Sequence, residues 1–215
     1  MNSTDKPTIP DVFLNVRKAY RLLHDYQRMV LDGVRYIEAQ LDIPHKGGWT
    51  RFFSDEAVKD GNVDLGRSSW EWLPMMWYEF HFLKQIEPEK ITPEYLVLSL
   101  FIISDTGWIE GDVKVEDIDD PFGYMPAEQS SSKFIFILRK TNEWRENFPF
   151  IDKKVQMRDF IKEGGFLPDE LLRKGYVGKC YHMSCLTSES EANKVVGDII
   201  DFAKEKSWPL EYKKK

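Results

Sequence analysis

Cysteine is scarce in this chain: only Cys180 and Cys185 occur among 215 residues. Two cysteines give no disulfide framework, so a core must come from apolar burial. Long apolar runs are also missing. The longest, Tyr95–Ile103, is broken by Ser99 and is far short of the roughly 20 residues of a membrane-spanning helix. The first ten residues, MNSTDKPTIP, are polar and lack the apolar centre of a secretory leader. These absences point to a cytoplasmic protein. No basic excess exists either: the net charge of −6 argues against a general grip on phosphate backbones. No glycine-rich phosphate fingerprint follows an expected strand, so the common modes of nucleotide binding are unsupported.

Hydrophobic residues at 42% and aromatics at 14% are ample for one core. The length fits a single α+β domain over residues 1–215, with a flexible segment at 1–10 and a charged tail at 212–215. From Asp11 to Leu41 the residues Val12, Val16, Ala19, Tyr20, Leu23, Tyr26, Val30, Val34, Ile37 and Leu41 recur at three and four. This is one helical stripe, with Arg17, Lys18, Arg21, Asp25, Arg28 and Asp32 mostly off it. Gly33 interrupts it at a cost of about 1 kcal/mol relative to alanine.

Ser69–Leu83 alternates at period two. Trp70, Trp72, Pro74, Met76, Tyr78, Phe80 and Phe82 form an uncharged face, and Glu71, Glu79 and His81 lie on a mixed one. This predicts a strand with one face buried under the long helix and the other partly wet. A short strand at Trp49–Phe53 precedes it. Tyr95–Ser104 is apolar on both faces and reads as a central strand covered from both sides. Lys133–Lys140 and Tyr176–Leu186 are further strands. Helices are expected at Asp152–Glu163, Pro168–Lys174 and after Ser188, whose Glu191 stands at capping-box spacing. The predicted fold class is α+β: an antiparallel sheet covered by a long N-terminal helix, with further helices and a strand toward the C-terminus.

Four groups of residues can carry chemistry. Asp105, Glu110, Asp112, Glu116, Asp117, Asp119 and Asp120, with Lys114 among them, form an acidic run. Asp105, Glu110 and Asp112 with Lys114 could hold a divalent cation for hydrolysis, yet the spacing matches no calcium loop. The plain reading is a solvated loop. The same run with Trp108 can instead meet a basic partner. Cys180, His182 and Cys185 offer three zinc ligands, but no second ligand pair has zinc spacing, and core thiols are expected. Glu79 and His81 can form an acid–base couple, and are expected as a solvent-side pair. Lys133, Arg139, Lys140, Arg145, Lys153, Lys154 and Arg158 are basic but interrupted by acids, which gives no strong nucleic-acid signal.

The sequence therefore favours a non-enzymatic interaction module, of inhibitor, immunity or adaptor type, with a basic protein as partner and no cofactor or metal. Trp108, Glu110, Asp112, Glu116, Asp117, Asp119 and Asp120 are its expected contact residues. The alternatives are a metal-dependent hydrolase or nuclease at Asp105, and a small-ligand sensor with a pocket between helix and sheet.

Overall fold

A computed structural model describes residues 8–51, 58–59, 62–63, 77–86, 92–110, 124–142, 160–161, 167, 172–173 and 175–214. The chain opens with helix α1 (Ile9–Gln40), about 48 Å long at 1.5 Å per residue. It starts two residues before the expected Asp11. The Thr8 side chain accepts from the Asp11 amide, and the Asp11 carboxylate accepts from the Thr8 amide, closing a capping box in front of Pro10.

Strand β1 (His45–Arg51) follows, then a short ribbon of β2 (Val58–Lys59) and β3 (Asn62–Val63). Strands β4 (Trp77–Ile86), β5 (Glu94–Ile103), β6 (Lys133–Thr141) and β7 (Val177–His182) come next, with a one-turn helix α2 (Gly107–Glu110) after β5. A 3-10 turn, Met183–Leu186, leads into α3 (Glu189–Glu205). The main sheet has five strands in the order β1-β4-β5-β6-β7, every pair antiparallel. The α+β expectation is therefore met, and β5 is central as read from its two apolar faces.

On one face of the sheet Phe82, Leu98, Leu100, Phe136 and Leu138 pack beneath Val34 and Ile37 of α1 and Val196 and Ile199 of α3. The phase read for Phe80 and Phe82 is borne out, while Trp70, Trp72, Pro74 and Met76 lie outside the described residues. The α3 stripe Ala192, Val195, Val196, Ile199, Ile200 and Ala203 is wholly buried, and the Ser188 side chain caps the helix by accepting from the Glu191 amide at 3.2 Å. Gly33 has a packing reason: Leu186 of the 3-10 turn lies 3.1 Å from where a Cβ would stand. A second cluster, including Phe101, Ile135, Ile137, Phe160 and Tyr176, covers the opposite face.

Two expectations are corrected. The last strand stops at His182 rather than Leu186, where the chain turns into the 3-10 segment. The α1 stripe does not cover the sheet along its whole length: its buried residues are Val30, Gly33, Val34 and Ile37, and Leu23 is only half-buried. The bulk of the expected helices 152–163 and 168–174 lies outside the described residues, although 160–161 and 172–173 are helical. Near the C-terminus Tyr212 bridges Leu41, and the Lys213 amide donates to the Gln40 carbonyl at 2.8 Å.

Candidate functional site

The mixed face of β4 is dry at Glu79 and His81, and wet only toward its end, where Leu83 is half-buried and Gln85 exposed. Glu79 is 2% and His81 9% exposed, which overturns the solvent-side expectation, because the second cluster covers this face. Register places His81 opposite Ser99 of β5. The His81 Nδ1 lies 2.8 Å from Ser99 Oγ, and its Nε2 lies 3.2 Å from Glu79 Oε2. Carboxylate, imidazole and hydroxyl thus stand in a line, the grouping that nucleophilic hydrolases use. Ser99, however, is 0% exposed, and a nucleophile must touch its substrate. This row satisfies polar groups inside the sheet. Farther along the same face Arg139 is buried, its Nη1 3.5 Å from the Tyr176 hydroxyl and its guanidinium 5.9 Å from that ring's centre.

The start of the acidic run is engaged in local structure. Asp105 Oδ1 accepts from the Gly107 amide at 2.7 Å, and Glu110 Oε2 accepts from the hydroxyl of buried Thr106 at 2.5 Å. Thr106 also ties this turn to Ser131 by three hydrogen bonds. Trp108 stands within α2. Asp112, Lys114, Glu116, Asp117, Asp119 and Asp120 lie outside the described residues, as do Glu71, Arg145, Lys153, Lys154 and Arg158. Of the described basic candidates, Arg139 points inward and Lys140 pairs with Glu94 at 2.7 Å, so these two do not join in a patch.

Cys180 is half-buried and Cys185 buried, both as free thiols. Exposed His182 accepts from the Ser184 amide through Nδ1 at 3.2 Å. Among the described residues no group of three or more His, Cys, Asp and Glu is arranged to hold a metal ion.

Burial pushes the Cys180 thiol up to about 11 and the Cys185 thiol up to about 12, from 9.0. The native state therefore holds these protons more tightly than the unfolded chain does. Their contribution is complete below about pH 9 and is lost as pH rises toward 12. The denaturant midpoint of the wild type is expected to fall more steeply above pH 9 than that of a Cys180→Ala, Cys185→Ala variant; parallel curves would contradict the burial of the thiols.

Among the described residues, the largest departure from core packing is the first half of α1. Ile9 is 72% exposed, Val12 44%, Phe13 59%, Val16 45% and Tyr20 65%. Leu14 and Leu22 are exposed as well, on other sides of the helix. The stripe reading missed Ile9, Phe13, Leu14 and Leu22. They were the available signal, since apolar residues on several sides of a helix exceed what one sheet face can cover. No helix among the described residues is long and apolar enough to cross a membrane.

The fold and this surface define an α+β protein with an antiparallel meander and a helix whose first half stands clear of its core. Residues 6–209 match the PM0109 family, and the chain belongs to that family. Neither a curated protein nor a solved structure matches it.

Proposed function

We propose that the protein is a non-enzymatic interaction module, of inhibitor, immunity or adaptor type, that docks a partner through the first half of α1. One observation carries this reading: the apolar row Ile9, Val12, Phe13, Val16 and Tyr20 lies open to water. Contiguous apolar surface of this kind marks interaction sites. The acidic run from Asp105 to Asp120, as a contact for a basic partner, carries less, since Asp105 and Glu110 at its start are engaged in their own turn. Two free thiols suit a reducing compartment and support a cytoplasmic location.

The test compares wild type with a Phe13→Ser, Tyr20→Ser variant in quantitative capture from the native host. Both side chains are exposed, so the thermal midpoint should not move. A partner enriched by the wild type and lost with the variant is expected. Equal capture by both would overturn the reading.

A further inference from the structure

The exposed half of α1 carries a second row beside the apolar one. Ile9, Phe13, Val16 and Tyr20 follow one another at steps of four, three and four, which places them along one line of the helix. Arg17, Arg21, His24 and Arg28 repeat the same steps. Arg17 follows Val16 and Arg21 follows Tyr20, so the basic row runs parallel to the apolar one, about 100° round the helix. All four of these side chains are exposed.

The charges on this half are unequal. Between Ile9 and Arg28 the basic residues are Arg17, Lys18, Arg21 and Arg28, and the acidic ones are Asp11 and Asp25, within a chain of net charge −6. Asp11 is held in the N-cap by Thr8, and Asp25 lies 3.4 Å from His24. Arg28 and Arg35 share Asp32, at 3.9 and 3.3 Å. Arg17, Lys18 and Arg21 form no ion pair with any described residue.

From this pairing of rows we infer that the first half of α1 docks an acidic amphipathic helix of another protein. The partner's apolar seam lies along Ile9, Phe13, Val16 and Tyr20, and its flanking carboxylates meet Arg17 and Arg21. The inference rests on the interaction reading and names its partner's chemistry. At roughly 200 Å² for a fully exposed aromatic side chain, and less for an aliphatic one, Ile9, Val12, Phe13, Val16 and Tyr20, each 44–72% exposed, leave on the order of 500 Å² of apolar surface in water. With the arginine stems added, that is close to the roughly 800 Å² per partner of a standard interface. A second copy fits less well. An antiparallel pair sets the basic row against itself, and the two carboxylates on this half are already engaged. An anionic membrane presents no fixed row of carboxylates to lie along Arg17 and Arg21, and it enters as an outcome of the test.

The probe is a synthetic helical peptide of three heptads with leucine at the two seam positions and glutamate flanking them, together with a counterpart carrying lysine in place of glutamate. Binding to the full chain is read by fluorescence anisotropy. The acidic peptide should bind and weaken steeply as salt rises, and the lysine peptide should bind at least about tenfold more weakly. Arg17→Glu with Arg21→Glu should invert that preference, and Phe13→Ser with Tyr20→Ser should abolish binding of both peptides. Unchanged circular dichroism and thermal midpoints certify each variant's fold.

Equal binding of both peptides, or no inversion on charge reversal, overturns the proposal. So does a concentration-dependent dimer in sedimentation that the Phe13→Ser, Tyr20→Ser variant dissolves. Stronger binding to phosphatidylcholine vesicles with about 30% phosphatidylserine than to the acidic peptide also overturns it. If the peptide fails while the host partner is still lost with the Phe13→Ser, Tyr20→Ser variant, the acidic-helix proposal alone falls. If both fail, the interaction reading falls with it.

Discussion

Gly178→Ala should destabilise the fold by about 3 kcal/mol, the upper range for forcing a methyl group into packed structure. Gly178 sits in β7 opposite Ile137 of β6. A Cβ built there would stand 2.3 Å from the Phe136 carbonyl oxygen and 3.1 Å from Ile137 Cα. Both obstacles are backbone, so no rotamer change relieves them. The two strands must part where β6 carries Phe136 and Leu138 into the core. Because β7 is an edge of the main sheet, the expected damage is a loosened β7, the 3-10 turn and α3 included, rather than a broken centre. Urea denaturation checks the magnitude, and hydrogen exchange checks the location. A loss under about 1 kcal/mol would contradict the close approach of these strands.

His81→Leu is the second large effect. It leaves Glu79, 2% exposed, without the imidazole 3.2 Å away, and leaves the Ser99 hydroxyl without the Nδ1 at 2.8 Å. Removing one partner from a buried polar group costs about 1–3 kcal/mol, and more when the group is charged. A loss of about 3 kcal/mol is expected. Replacing Glu79 by methionine in the same chain should recover part of it, since exchanging both members of a buried polar pair for apolar residues is often nearly neutral. A double-mutant cycle read by urea denaturation measures the coupling directly. Strictly additive losses would mean that the two side chains do not act as a pair.

Much of the fold was legible because its signals are local. Period two in Phe80–Phe82 and period three to four in Ala192–Ala203 report which face is buried, and the two apolar faces of Leu96–Ile102 report a covered central strand, without reference to the rest of the chain. Ser188 with Glu191 announced the start of α3. What failed depends on distant partners. The burial of Glu79 and His81 follows from what covers the second face, and the His81–Ser99 contact follows from the register of β4 on β5; neither is encoded near residue 81. Ser99 was visible as the one polar residue breaking an apolar central strand, but only the pairing gave it a partner. The α1 stripe failed differently. Its periodicity is real from Val12 to Leu41, yet periodicity reports an apolar face and not whether the fold has surface enough to cover it. Asp105 and Glu110 read as free carboxylates because their hydrogen bonds to Gly107 and Thr106 depend on the turn the chain makes there.

The first half of α1 is open in the free protein while the second half is locked in the core. Single cysteines at Phe13, Tyr20 and Ile37, labelled with a maleimide in the native state, test it most directly, with the wild-type rate at Cys180 and Cys185 as background. Positions 13 and 20 should react at nearly the rate of the unfolded chain, whereas position 37, 0% exposed in the wild type, should react only through global unfolding. Protection at 13 and 20 comparable to that at 37 would contradict the account.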